Sequence, residues 1–84
     1  MGMDQMKSMG MMTDPHSLAH KNPFDKAFID SMIPHHQSAI SMAEVALDKS
    51  NKPKIKELAA NIVTAQKREI SQMKQWCNQW YPRS

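Results

Sequence analysis

Three side chains that bind soft transition metals lie close together near residue 35 of this chain. Met32 precedes His36 by four positions, and His35 lies directly beside His36. Residues three or four apart share one face of a helix, and this stretch carries an apolar helical periodicity in which both histidines point toward the core. Met42 continues the same stripe. Thioether and imidazole groups favour copper, so the spacing predicts a copper-binding helix face.

A second segment carries polar residues within an apolar helical stripe. The stripe comprises Ala59, Ile62, Gln66, Glu69, Met73, Trp76 and Trp80. If the two segments pair antiparallel across a short turn, His36 falls opposite Gln66, and Met32 falls opposite Glu69 or Ile70. A buried polar group without a partner costs roughly 2–7 kcal/mol, so we expect these polar residues to share one site. Its candidate members are His35, His36, Met32, Gln66, Glu69 and Met73.

The donor types favour copper over other metals. Magnesium and calcium prefer oxygen ligands, whereas zinc usually draws on Cys, His and carboxylate. Glu69 keeps zinc as a less favoured alternative, but it could equally orient a ligating imidazole from behind. The predicted cargo is therefore copper, with Cu(I) favoured and Ag(I) as its mimic. The competing interpretation is that methionine and histidine simply pack a helical core.

The N-terminal residues provide a second, independent indication of soft-metal binding. Nine of the 84 residues are methionine, and six of them fall in the first twelve positions, where disordered leaders normally carry few large apolar side chains. The possible additional ligands are Met3, Met6, Met9, Met11, Met12, His16 and His20. The four-residue spacing of His16 and His20 would place both imidazoles on one side of a helical turn.

The pattern predicts an all-α fold with no strands. Residues 1–13 form a flexible Met-rich leader, and residues 14–84 form one domain. A short helical turn opens at Pro15, and a long helix follows from Asn22, the expected N-cap, to about Asp48. Pro34 should kink or break that helix near Ile33. A second long helix should run from Pro53 to about Trp80, which completes an antiparallel hairpin.

Composition excludes several function classes. The net charge of +3 is spread along two polar helix faces, and no basic cluster with interleaved aromatics indicates nucleic-acid binding. No apolar run approaches the roughly 18 residues of a membrane span. The single Cys77 cannot form an internal disulfide, which leaves a free buried thiol, an intersubunit contact or a metal ligand.

Two motifs resemble the bacterial family called domain of unknown function 305. In the first long helix they comprise Asp25, Phe28, Met32, Ile33, Pro34, His35, His36, Gln37, Ala39, Ile40, Met42 and Ala43. In the second they comprise Gln66, Glu69, Ile70, Met73 and Trp76. The resemblance covers about residues 22–80 and implies a ferritin-like helical bundle found in periplasmic or secreted proteins, some of which are associated with copper. It also implies metal contacts at Met32, His35, His36, Met42 and Met73. Together with Glu69 these are the six predicted ligands, and the predicted supporting residues are Gln66, Asp25 and Cys77. Many relatives carry two copies of this unit, so one copy implies a homodimer that completes a four-helix bundle.

We therefore expect a copper-binding protein that buffers or sequesters copper for copper tolerance and has no enzymatic activity. It is expected to be periplasmic or secreted after removal of a signal peptide, and it could pass copper to a transfer partner. The alternative is a metal-free helical homodimerisation module. A di-iron enzyme is disfavoured because no Glu-x-x-His pair is present.

Overall fold

The computed structural model describes residues 15–82, all of which lie in helices, turns or short connections. It contains helix α1 (Pro15–Ala19), helix α2 (Phe24–Lys49) and helix α3 (Pro53–Trp80). Helices α2 and α3 pack along each other as a hairpin, and α1 contacts α2. No strand occurs in the described part of the chain. The predicted all-α hairpin with a short N-terminal helical turn is confirmed, whereas the predicted leader, residues 1–13, lies outside the described residues.

Proline residues set the starts of both long helices. Pro53 lies at the first position of α3, where its missing N–H costs nothing. Helix α2 begins at Phe24 and is preceded by Pro23 in an extended conformation, so the prediction that Asn22 caps this helix is wrong by one residue. The Asn22–Pro23 peptide bond is cis. The first bond of the helix runs from the Ala27 N–H to the Pro23 carbonyl oxygen at 3.2 Å.

The connection between α2 and α3 comprises only residues 50–52. The Ser50 N–H donates to the Ala46 carbonyl oxygen at 2.9 Å, which closes the last turn of α2. The Ser50 side-chain oxygen accepts a hydrogen bond from the Lys52 N–H at 3.1 Å. Because such a short connection cannot carry the chain far, α3 must run back along α2.

Pro34 lies inside α2 without interrupting it. The helix is continuous from Phe24 to Lys49, so the break that the sequence predicts near Ile33 does not occur. Pro34 is exposed, and the hydrogen bond that its nitrogen cannot donate would have reached the carbonyl group of Asp30. Packing against α3 on both sides of Pro34 is the physical reason why the helix persists.

The hairpin buries a small core and leaves much apolar surface uncovered. The core residues are Ile29, Ala43, Ala59 and Met73, and the buried polar residue among those described is His36. The large apolar side chains that remain exposed are Phe24, Phe28, Met42, Val45, Ile55, Leu58, Trp76 and Trp80. Within residues 15–82, no helix combines the length and apolar character needed to cross a membrane.

Candidate metal site

A hydrogen bond between His36 of α2 and Glu69 of α3 forms the centre of the site. His36 Nε2 lies 2.6 Å from Glu69 Oε1. The sequence predicted Gln66 opposite His36, so the observed partner lies about one helical turn further along α3. The reason is geometric, because side chains lean toward the N-terminus of their own helix. In an antiparallel pair, His36 and Glu69 therefore lean toward each other.

The Glu69 carboxylate determines which ring nitrogen of His36 carries the hydrogen. With a neutral imidazole, the tautomer that donates Nε2–H to the Glu69 carboxylate leaves the lone pair on Nδ1. Nδ1 is buried and has no hydrogen-bond partner within the described residues. His36 is only 8% exposed, whereas the Glu69 side chain is 49% exposed. The pair thus leaves one buried acceptor nitrogen on α2 unsatisfied.

A groove between α2 and α3 brings this pair together with two thioethers. Its volume is about 280 Å³. The residues that line it are Phe28, Met32, His36, Glu69, Gln72, Met73 and Trp76. On α2 the lining residues recur every four positions, so one helix face supplies them all. The groove therefore contains four of the six predicted ligands, namely Met32, His36, Met73 and Glu69.

His35 and Met42 lie outside this groove. His35 is exposed, which corrects the expectation that both histidines point into the core. Its ring centroid lies 6.3 Å from that of His36, with the two planes tilted by 59°. Met42 is 72% exposed, so its predicted position on a buried stripe is also wrong. One partner helix covers only a narrow stripe of α2, and these two side chains lie to the side of it.

The supporting and additional residues are dispersed. Gln66 is half-buried and does not line the groove. Asp25 lines a neighbouring groove of about 210 Å³, and Cys77 is a half-buried free thiol. His16 and His20 are exposed, on α1 and directly after it. The predicted leader methionines, Met3 to Met12, lie outside the described residues.

Aromatic residues form a wall of the site that the sequence analysis did not assign to it. Phe28 and Trp76 line both grooves. Each stacks on an aromatic residue four positions away on its own helix. The ring centroids of Phe24 and Phe28 are 6.1 Å apart, and those of Trp76 and Trp80 are 5.8 Å apart. The spacing could have revealed this, since Trp76 follows Met73 by three positions on the same stripe.

One ion pair lies beside the site without lining it. Lys26 Nζ donates to Asp30 Oδ2 at 2.7 Å, one helical turn away on α2. This hydrogen bond is the largest cause that raises the pKa of Lys26 above its ordinary value. In the described part of the chain, no group of three or more His, Cys, Asp or Glu side chains is close enough to hold a metal ion. The potential ligand groups that line the groove are one imidazole, one carboxylate, one carboxamide and two thioethers.

Solved structures with the same fold and a related sequence carry metal ions. The chain is 42% identical to CopM in its Ag-bound and Cu(I)-bound forms, with a TM-score of 0.79 to each. The matched region covers 82% of this chain and 50% and 49%, respectively, of those chains. This chain therefore spans about half the length of the solved structures that it matches.

A curated viral protein is also similar to this chain. It is the uncharacterized protein L153 of Acanthamoeba polyphaga mimivirus, which is 41% identical over 49 residues. That match covers 58% of this chain and 32% of the viral protein. The family described as "Domain of unknown function (DUF305)" matches residues 1–81, which extends the expected resemblance at its N-terminal side. The chain thus belongs to the DUF305 family.

Proposed function

We propose that this protein binds copper in the groove between α2 and α3 and buffers or sequesters it without catalysing a reaction. The ligands are the His36 imidazole and the thioethers of Met32 and Met73, and Cu(I) is the favoured ion. The observation that carries the proposal is the buried Nδ1 of His36, which has no partner among residues 15–82 and lies on a side chain that shares a groove with two thioethers.

The Glu69–His36 hydrogen bond fits the arrangement that surrounds ligating histidines in metal sites. A metal-binding histidine usually donates its other ring N–H to a carboxylate or carbonyl, which fixes the tautomer and raises the basicity of the ligand nitrogen. Here Glu69 Oε1 accepts from Nε2 at 2.6 Å, which leaves Nδ1 as the ligand atom. Glu69 thus orients His36 and does not itself bind the metal in this proposal.

The chemistry of the donors supports copper. Two uncharged thioethers and one imidazole suit a soft monovalent ion better than a hard divalent one. Known structures of CopM include Ag-bound, Cu(I)-bound and Cu(II)-bound forms, and 42% identity to CopM supports extending copper binding to this chain. A periplasmic or secreted location, a role in copper tolerance and transfer to a partner protein belong to the same proposal.

A homodimer is the second part of the proposal. Eight large apolar side chains are exposed along the hairpin, and two helices alone cannot cover them. A second copy of the chain would bury these residues and complete a four-helix bundle. CopM is about twice as long as the region that matches it, which leaves room in that chain for a comparable second half.

The decisive experiment compares two neighbouring histidines. Cu(I) affinity is measured by competition with a chromophoric Cu(I) chelator for wild type, His36→Ala and His35→Ala. We expect His36→Ala to weaken binding at the folded site at least tenfold, whereas His35→Ala, which removes an exposed ring outside the groove, stays close to wild type. Residues 1–14 are deleted in a parallel set of variants, so that the leader methionines cannot mask the loss.

The alternative is a metal-free dimerisation module. Exposed apolar residues near the connection between the two helices favour this alternative. Met42, Val45, Ile55 and Leu58 all lie in the half of the hairpin that does not contain the groove. If wild type and the His35→Ala/His36→Ala double variant bind Cu(I) equally weakly while the protein dimerises, that alternative replaces copper binding.

A further inference from the structure

We propose that the indole ring of Trp76 forms one wall of the metal site and contacts the bound ion through its π face. This contact would favour monovalent Cu(I) and Ag(I) over Cu(II). The inference rests on the proposed function, because it needs an ion in the groove, but it concerns a residue with no conventional ligand atom.

The position of Trp76 supports this role. It lines the same groove as Met32, His36 and Met73, and it follows Met73 by three positions, so both side chains lie on one face of α3. Phe28 lies on the α2 side of the groove, one turn before Met32. The soft donors and the aromatic rings therefore line one continuous surface. Trp76 is 37% exposed, which leaves its ring accessible.

The orientation of the indole is constrained by its neighbour. Trp80 stacks on Trp76 with ring centroids 5.8 Å apart and planes within 5° of parallel. One face of Trp76 is therefore turned toward Trp80. Trp80 itself lines the neighbouring groove with Asp25 and does not line the groove that contains His36. Of the two tryptophans, only Trp76 lines the groove of the proposed ion.

The aromatic wall of the groove discriminates between metal ions by their charge and hydration. A cation attracted to the face of a tryptophan gains most when it has lost its water. The monovalent ions Cu(I) and Ag(I) are less strongly hydrated than Cu(II) and accept thioethers, whereas Cu(II) prefers nitrogen and oxygen ligands in a tetragonal arrangement. An aromatic and thioether wall therefore stabilises the monovalent ion and offers little to the divalent one.

Single-tryptophan variants test the contact directly. Trp80→Phe retains only Trp76, and Trp76→Phe retains only Trp80. Both are titrated with Ag(I), with tryptophan excited selectively over Tyr81. We expect saturable quenching at one equivalent in Trp80→Phe, much weaker quenching in Trp76→Phe, and loss of the quenching when His36→Ala is added to Trp80→Phe. Equal quenching in both variants, or none in Trp80→Phe when competition shows that it binds Ag(I), would overturn the proposal.

Affinity measurements separate a contact from a merely structural role. Trp76→Leu should weaken Cu(I) binding about fivefold, the value expected for a partly exposed cation–π contact, and should leave Cu(II) binding unchanged. An equal loss for both ions, or no loss for Cu(I), contradicts the role of Trp76 while copper binding itself stands. If wild type binds neither Cu(I) nor Ag(I) in competition assays, the proposed function fails first.

Discussion

His36 Nε2 and Glu69 Oε1 lie 2.6 Å apart, although their residues are separated by 33 positions in the sequence. The hydrogen bond joins a side chain that is 10% exposed to one that is 49% exposed. The His36 ring is thus hydrogen-bonded to a carboxylate that remains in contact with water. The carboxylate retains much of its hydration, and the imidazole is oriented inside the hairpin.

Removing the Glu69 carboxylate should weaken copper binding without removing a ligand. We expect Glu69→Ala to lower Cu(I) affinity about 10- to 100-fold, as for other groups that orient a ligating histidine. Glu69→Gln keeps a hydrogen-bond acceptor and should lie between Glu69→Ala and wild type. Competition titration measures the effect, with Glu57→Ala, an exposed glutamate of the same helix, as the matched control. Tighter binding by Glu69→Ala would instead mean that Nε2 is the ligand atom.

Replacing His36 by an apolar residue should separate stability from metal binding. Nδ1 is buried and has no partner among residues 15–82, and such a group costs about 1–3 kcal/mol. His36→Leu removes it, so the metal-free variant should be at least as stable as wild type in urea denaturation. The same variant should show no increase in Tm with Ag(I). Marked destabilisation of the metal-free variant would contradict this expectation, because it would show that the interactions of His36, including its hydrogen bond to Glu69, outweigh the cost of the unpartnered Nδ1.

The two groove methionines should contribute to the stabilisation that a bound ion provides. An ion that binds only the folded state adds about 2.7 kcal/mol to the free energy of unfolding at 100 times its Kd. Met32→Leu and Met73→Leu preserve side-chain volume approximately and should reduce the Ag(I)-induced rise in Tm. Met42→Leu, outside the groove and 72% exposed, is the control and should behave as wild type.

A charge on the uncovered apolar surface should disrupt the proposed dimer. Val45 and Leu58 are exposed on α2 and α3, and a second copy would desolvate any charge placed there. We expect Val45→Lys or Leu58→Glu to give a monomer in sedimentation velocity at concentrations where wild type is a dimer. Lys54→Glu changes the charge at an exposed polar position of α3 and should have no such effect. A wild-type monomer at all concentrations would contradict the homodimer.

Local signals in the sequence were sufficient to predict most of the fold. Pro53 marks the start of α3 because its ring fits the first helical position, and the predicted end at Trp80 is also observed. Pro34 does not break α2, which is continuous from Phe24 to Lys49, because the cost of one lost hydrogen bond is local whereas packing acts along the whole helix. The cis Asn22–Pro23 bond could not be predicted from the two residues alone.

The candidate site was predicted less completely than the fold. Periodicity placed His35 and His36 together on a broad apolar face, but adjacent residues on a helix point about 100° apart. A single partner helix can bury only one of them, and here it buries His36. The aromatic wall was missed for a different reason: the spacing places Trp76 one turn after Met73 on the same stripe, but only the packed hairpin brings its ring into one groove with Met32 and His36.

His36 and Met73 are two of the five residues that the described part of the chain buries, and both line the candidate site. Residues that pack the core of the hairpin thus also line the groove that would bind the metal ion. Substitutions that improve the packing of this core would alter metal binding, and substitutions that alter metal selectivity would change the stability of the fold. Within this hairpin, evolution must adjust both properties through the same side chains.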